Sequence, residues 1–99
     1  MQDLELPKPL AFEWDSGNQN KSYIKHGILS PEAEQAFVND NLIWGDEKHS
    51  YEESRYNLLG ITDADQILFI SFTIRKDKIR IISARLADKK ERKLYEKEI

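Results

Sequence analysis

The side chains with most to offer chemically are five arginines, Arg55, Arg75, Arg80, Arg85 and Arg92, all in the second half of a 99-residue chain. A guanidinium is a permanently charged planar fork that can hold a carboxylate or a phosphate by two parallel hydrogen bonds. Three of the five fall where strands would gather them. Ile67–Ile74 and Ile79–Ala84 are β-prone runs separated by Arg75-Lys76-Asp77-Lys78, a compact hairpin loop. With Lys76-Asp77 at its centre, Arg75 opposes Lys78, Thr73 opposes Arg80 and Ser71 opposes Ile82. Opposed residues share a side, and so do alternate residues along a strand. Ser71, Thr73, Arg75 and Arg80 then lie on one face, while Leu68, Ile70, Phe72, Ile74, Ile79 and Ile81 form an apolar other face. An odd-length loop would bury Arg80, so the apolar pattern selects the even one. In the preceding strand, Tyr56 and Leu58 make the better apolar side, which turns Arg55 and Asn57 toward Thr73 and Arg75. Such a face fits a polyanion; it equally fits a solvated sheet surface with local pairs to Glu53 or Asp77.

Lys25-His26-Gly27 is a second constellation. It reads either as cations complementing a helix C-terminus that glycine ends, or as a titratable imidazole beside a lysine at a helix end. His49 lies in a polar loop. Two distant histidines and no cysteine predict no metal site, and no glycine-rich phosphate loop occurs.

The elements that position these groups follow from the pattern around them. Residues 1–11 read as an N-terminal arm fixed by Pro7 and Pro9, ahead of a single domain over 12–99. Leu10–Trp14 fits a short first strand. Asp15 is placed to cap a helix over 16–25 that Gly27 stops, with Ile28 in hydrophobic contact beyond it. Ser30-Pro31 reads as cap and first turn of a second helix, with Ala33, Ala36 and Phe37 as its buried stripe. Leu42-Ile43-Trp44 and Arg55–Gly60 are strands either side of a polar loop over 45–54. Asp88 and Glu91 make a capping box for a helix over 89–97. Consecutive strands with short links predict an α+β fold: an antiparallel β-meander with N-terminal helices and a C-terminal helix on one face.

Composition narrows the class. The net charge is −3, but residues 1–53 carry −7 and residues 54–99 carry +4. That split suggests an anion-binding surface on an acidic body and argues against a general nucleic-acid coat. No run approaches the roughly 18 apolar residues of a membrane helix. The first residues show no secretory h-region, so a cytoplasmic protein with no membrane partner is expected.

Taken in order, Phe12-Glu13-Trp14-Asp15, Lys25-His26-Gly27-Ile28, Pro31-Glu32-Ala33-Glu34, Glu53-Ser54-Arg55-Tyr56, Phe72-Thr73-Ile74-Arg75, Ile79–Arg85 and Glu91-Arg92 resemble the BrnT toxin family of type II toxin–antitoxin systems over about 12–97. The resemblance implies a small ribonuclease with a RelE-like fold. It implies a BrnA-like antitoxin as partner, RNA as substrate and operator DNA reached only through the antitoxin. The family's functional positions would fall on Lys25, His26, Glu53, Arg55, Arg75 and Arg80, with Arg85 supporting; Thr73, on the polar sheet face, joins Arg85 as an expected substrate-binding residue. By strand phasing, Arg85 shares a side with Ile79 and Ile81, so it either leaves the strand end or anchors the last helix. The chemistry implied needs no cofactor: the RNA 2′-hydroxyl attacks the adjacent phosphorus, His26 or Glu53 moves protons, and the cations stabilise the phosphorane. The acidic balance of the chain keeps a second reading open, a catalytically weakened module that holds the antitoxin and contributes to operon autorepression.

Overall fold

Alternation of apolar side chains builds the sheet. In the computed structural model, which describes residues 4–99, β1 (Asn41–Gly45), β2 (Arg55–Ile61), β3 (Ile67–Arg75) and β4 (Lys78–Leu86) form one antiparallel meander in the order β1-β2-β3-β4. Three helices accompany it: α1 (Lys21–His26), α2 (Ser30–Val38) and α3 (Lys89–Glu98). The β3–β4 link is the two-residue turn expected from the pattern. Lys76 and Asp77 both have positive φ (49° and 62°), as a hairpin turn matched to strand twist requires, and Arg75 pairs with Lys78.

The helices divide between the two faces of the sheet, where one face was expected. α2 packs Ala33, Ala36 and Phe37 over Ile43, Leu58, Ile70, Phe72, Ile79 and Ile81. Phe12, Phe37 and Phe72 stack edge-to-face there, with centroids 5.3 and 5.0 Å apart. α3 lies on the other side, its Tyr95 packing with Leu59, Ile61, Ile67, Phe69 and Ala87. The reason is the pleat: Leu58 and Leu59 are both fully buried yet point to opposite faces, so both faces needed a cover. Ten residues of helix span about 15 Å, and α3 covers only one end of its face. The other end carries the polar residues.

The N-terminal segment seals an edge. Glu13 N donates to Ile79 O and Ile79 N to Ala11 O, both at 2.8 Å, forming a single parallel bridge at Phe12 in place of an extended first strand. Further along β4, Asn18 Nδ2 donates to Ile81 O and Ala84 N donates to Ser22 Oγ. Backbone groups that an edge strand would expose are thereby satisfied. The arm expected over 1–11 lies partly outside the described residues, at 1–3; Leu4 and Leu6 pack against the larger core.

Local capping departs from expectation twice. Asp15 closes a turn, accepting from the amides of Gly17, Asn18 and Gln19, and left-handed Asn20 (φ 63°) separates that turn from α1, which starts only at Lys21. Ser30 is already helical; the residue before α2 is Leu29, whose amide donates to Glu32 Oε1 at 2.9 Å. Gly27 does end α1 with φ 75°, and Ile28 beyond it is buried. Asp88 and Glu91 form the expected reciprocal box at 2.8 Å in each direction.

Candidate active site

Strand register sets a cationic row across the open half of the α3 face. Arg55 on β2 pairs with Thr73 on β3, and Thr73 with Arg80 on β4. Two positive forks therefore flank a buried threonine, whose Oγ1 donates to the Ser54 carbonyl at 2.8 Å. Arg75 stands two residues along β3 on the same side. Beneath the row, Ser71 Oγ donates to Asn57 Oδ1 at 3.0 Å. A cleft of about 180 Å³ opens here, lined by Gly17, Asn18, Lys21, Glu53, Arg55, Thr73, Arg75, Arg80, Ile81 and Ile82.

Carboxylates already occupy two of the guanidiniums. Arg75 donates to Glu53 through Nε (3.0 Å) and Nη2 (2.7 Å). Arg80 donates from Nη1 to Glu13 Oε1 and Asp15 Oδ2, both at 2.9 Å, and from Nη2 to Asp15 Oδ1 at 3.0 Å. The Arg75 hydrogen bonds hold the Glu53 carboxyl below its usual range. Arg80, helped by the Gly17 amide, does the same for Asp15. The pairing pushes both guanidiniums further up: Glu53 raises Arg75 and Asp15 raises Arg80. Arg55 differs. Among the described residues its guanidinium has no ion pair and no hydrogen bond, although its charge helps to hold Glu53 ionised.

The 13–18 turn reaches this site because two small residues let it. Asn18 is buried and serves as a hub: it accepts from Asp15 N at 2.8 Å and donates to Glu13 O at 2.9 Å. A Cβ on Gly17 would stand 2.9 Å from Arg80 Nη2, so a larger residue there would make the guanidinium shift.

Of the residues singled out from sequence, Glu53, Arg55, Thr73, Arg75 and Arg80 come together at the cleft. Lys25 and His26 do not line it; they form the last turn of α1, where every residue except Ser22 is largely exposed. Arg85 is also absent from the lining, and its strand phasing is corrected by a bulge. The register shifts between Ser71 and Phe72, so that Ser71 pairs with Ser83 rather than Ile82. One extra residue on β4 reverses the alternation beyond it. Arg85 therefore opposes Phe69 on the α3 face, stacks 4.4 Å over its ring and grips Glu91 at 2.8 and 2.9 Å, anchoring the last helix. Sequence reasoning missed Lys21, Glu13 and Asp15 at the site. Asn18 read only as turn chemistry, since no pattern marks a side chain that bridges residues 63 positions apart.

A second hollow adjoins the first, lined by His49, Tyr51, Glu52, Glu53 and Arg55. Among the described residues no group of three or more His, Cys, Asp or Glu side chains could hold a metal ion, and no helix is long and apolar enough to cross a membrane.

Compared with known proteins, residues 14–91 match the model of a family described as ribonuclease toxin, BrnT, of type II toxin-antitoxin system, the family the sequence motifs resemble. No curated protein matches the chain.

Proposed function

The chain belongs to the BrnT family of ribonuclease toxins of type II toxin–antitoxin systems, and on that premise we propose that the cleft at Arg55 is where it cleaves RNA. The observation that carries the reading is the convergence of Arg55, Arg75, Arg80 and Glu53 on one cleft. Arg55, which makes no ion pair among the described residues, receives the scissile phosphate. Arg75 and Arg80 add positive potential from positions their carboxylates hold still.

The reaction in this reading is internal transfer without a metal. The ribose 2′-oxygen forms a bond to the neighbouring phosphorus, the bond from phosphorus to the 5′-oxygen breaks, and a 2′,3′-cyclic phosphate and a 5′-hydroxyl result. A base takes the 2′-hydroxyl proton and an acid gives one to the departing 5′-oxygen. Glu53, kept ionised by Arg75, suits the base and not the acid. Lys21 at the rim adds a cation that can hold the flanking phosphate. The partner is a BrnA-like antitoxin that covers the arginines; operator DNA is bound through it, and the pair acts in the cytoplasm. The purified chain, incubated with RNA in the presence of a chelator, should yield cyclic-phosphate ends, and a 2′-deoxy substitution at the cleaved position should block the cut. RNA that stays intact, or cleavage that ceases with the chelator, removes the reading.

One observation favours a second reading. Glu13, Asp15 and Glu53 already neutralise two of the three cations, as they would in a weakened toxin whose remaining work is to hold its antitoxin and contribute to autorepression. Growth arrest with RNA decay on expression without antitoxin separates the two.

A further inference from the structure

The loop between β1 and β2 presents an aromatic that the fold does not use. Tyr51 is 87% exposed and makes no hydrogen bond or ring contact among the described residues. It borders the hollow of about 290 Å³ that shares Glu53 and Arg55 with the cleft, a size at the small end of ligand sites.

The base of this loop is closed by a set of short bonds. Asp46 N donates to Arg55 O at 2.9 Å, Arg55 N donates to Ser50 Oγ at 2.9 Å, and Ser50 Oγ donates to Asp46 O at 2.7 Å. His49 Nδ1 lies 2.9 Å from Asp46 Oδ2, which fixes the orientation of the imidazole plane. Two rings thus stand beside a guanidinium that makes no ion pair or hydrogen bond among the described residues.

We propose that this hollow is a nucleobase subsite, in which Tyr51 and His49 stack the base of the nucleotide whose phosphate meets Arg55. Taking RNA as the ligand rests on the ribonuclease reading. The spatial logic is that of single-strand recognition: a cation holds the backbone while adjacent aromatics take an unstacked base by its face. Glu52, a lining carboxylate without a hydrogen bond among the described residues, accepts from an exocyclic amino group, so the subsite prefers cytosine, adenine or guanine to uracil.

The test uses the full chain and a short single-stranded RNA made uncleavable by 2′-O-methylation, with a matching strand of abasic sugars. Wild type should bind the base-bearing strand more tightly than the abasic one. Tyr51→Ala should weaken the base-bearing complex by about 5- to 100-fold, the range of one lost base–aromatic stack, and leave the abasic complex unchanged. Tyr51→Phe, which keeps the ring, should bind within about twofold of wild type. Equal binding of the two strands, no binding at all, or indifference to Tyr51→Ala overturns the subsite. Base-dependent binding by a chain that cuts no unmodified RNA would sink the ribonuclease reading and leave the subsite standing. Cleavage with binding that ignores Tyr51 would do the reverse.

Discussion

Arg75 grips Glu53 by two hydrogen bonds, Nε to Oε2 at 3.0 Å and Nη2 to Oε1 at 2.7 Å, so the carboxylate in the cleft lining is tied to the arginine beside it. The pair joins β3 to the loop before β2, which brings Glu53 within reach of whatever Arg55 binds. The contact is well over a third exposed on both sides, and solvent and salt screen it.

Its pH signature has a definite sign. The Glu53 carboxyl titrates lower in the folded chain than its ordinary value of 4.5, so in acid the unfolded chain binds more protons. The stability the pair contributes is complete above that ordinary value and is lost as pH falls through the lowered one. The melting temperature of Glu53→Gln should therefore fall less steeply than that of wild type as pH drops below about 5. Parallel curves for the two proteins would contradict the pairing.

Arg55→Ala is the cleanest probe of the cleft. Among the described residues its guanidinium makes no ion pair and no hydrogen bond, so its removal should leave the melting temperature within about 3 °C of wild type. RNA cleavage should drop by about 100- to 1000-fold, the usual cost of one transition-state donor. Activity near wild type would move the scissile phosphate elsewhere.

Arg80→Ala should behave differently, because Arg80 is a clamp as well as a cation. Its side chain is 14% exposed and holds both Glu13 and Asp15. Removing it frees the 13–18 turn and leaves two like charges side by side. Amide hydrogen exchange should rise at Gly17, Asn18 and Gln19, whose amides bond within that turn. Unchanged protection there would show that Asn18 suffices to hold the turn.

His26 lies outside the cleft lining. His26→Ala should accordingly keep cleavage within about threefold of wild type, with both limbs of the pH–rate profile in place. Loss of one limb would make His26 a participant in proton transfer and require α1 to close over the cleft.

At Gly60 the α2 backbone approaches the sheet closely. A Cβ there would run into the Ala36 carbonyl oxygen and the Leu58 side chain. Gly60→Ala should destabilise the fold by about 1–3 kcal/mol, the usual cost of overpacking. A denaturant midpoint equal to that of wild type would show that α2 can shift without cost.

Much of this architecture was legible before any coordinates. Leu68, Ile70 and Phe72 alternate with Phe69, Ser71 and Thr73, and that period of two dictates a strand with a polar side. Lys76-Asp77 fixes the hairpin, and the hairpin fixes Thr73 opposite Arg80. Asp88 and Glu91 announce the last helix. These are local signals, written within a few residues of where they act. What they left out is long-range or depends on one inserted residue. Burial of both Leu58 and Leu59 sends α3 to the face opposite α2, which strand alternation alone does not reveal.

By itself, the sequence determined the meander, the gathering of Arg55, Thr73, Arg75 and Arg80 on one side, and membership of a toxin family. Tertiary structure alone decided which cations are paired: Glu13 and Asp15 reach Arg80 across 67 and 65 positions, and a one-residue bulge carries Arg85 to Phe69 and Glu91. The physical reason is that pleat and turn geometry propagate from neighbour to neighbour, whereas the partner of a charged side chain is set by whichever distant segment the folded chain brings within about 3 Å of it.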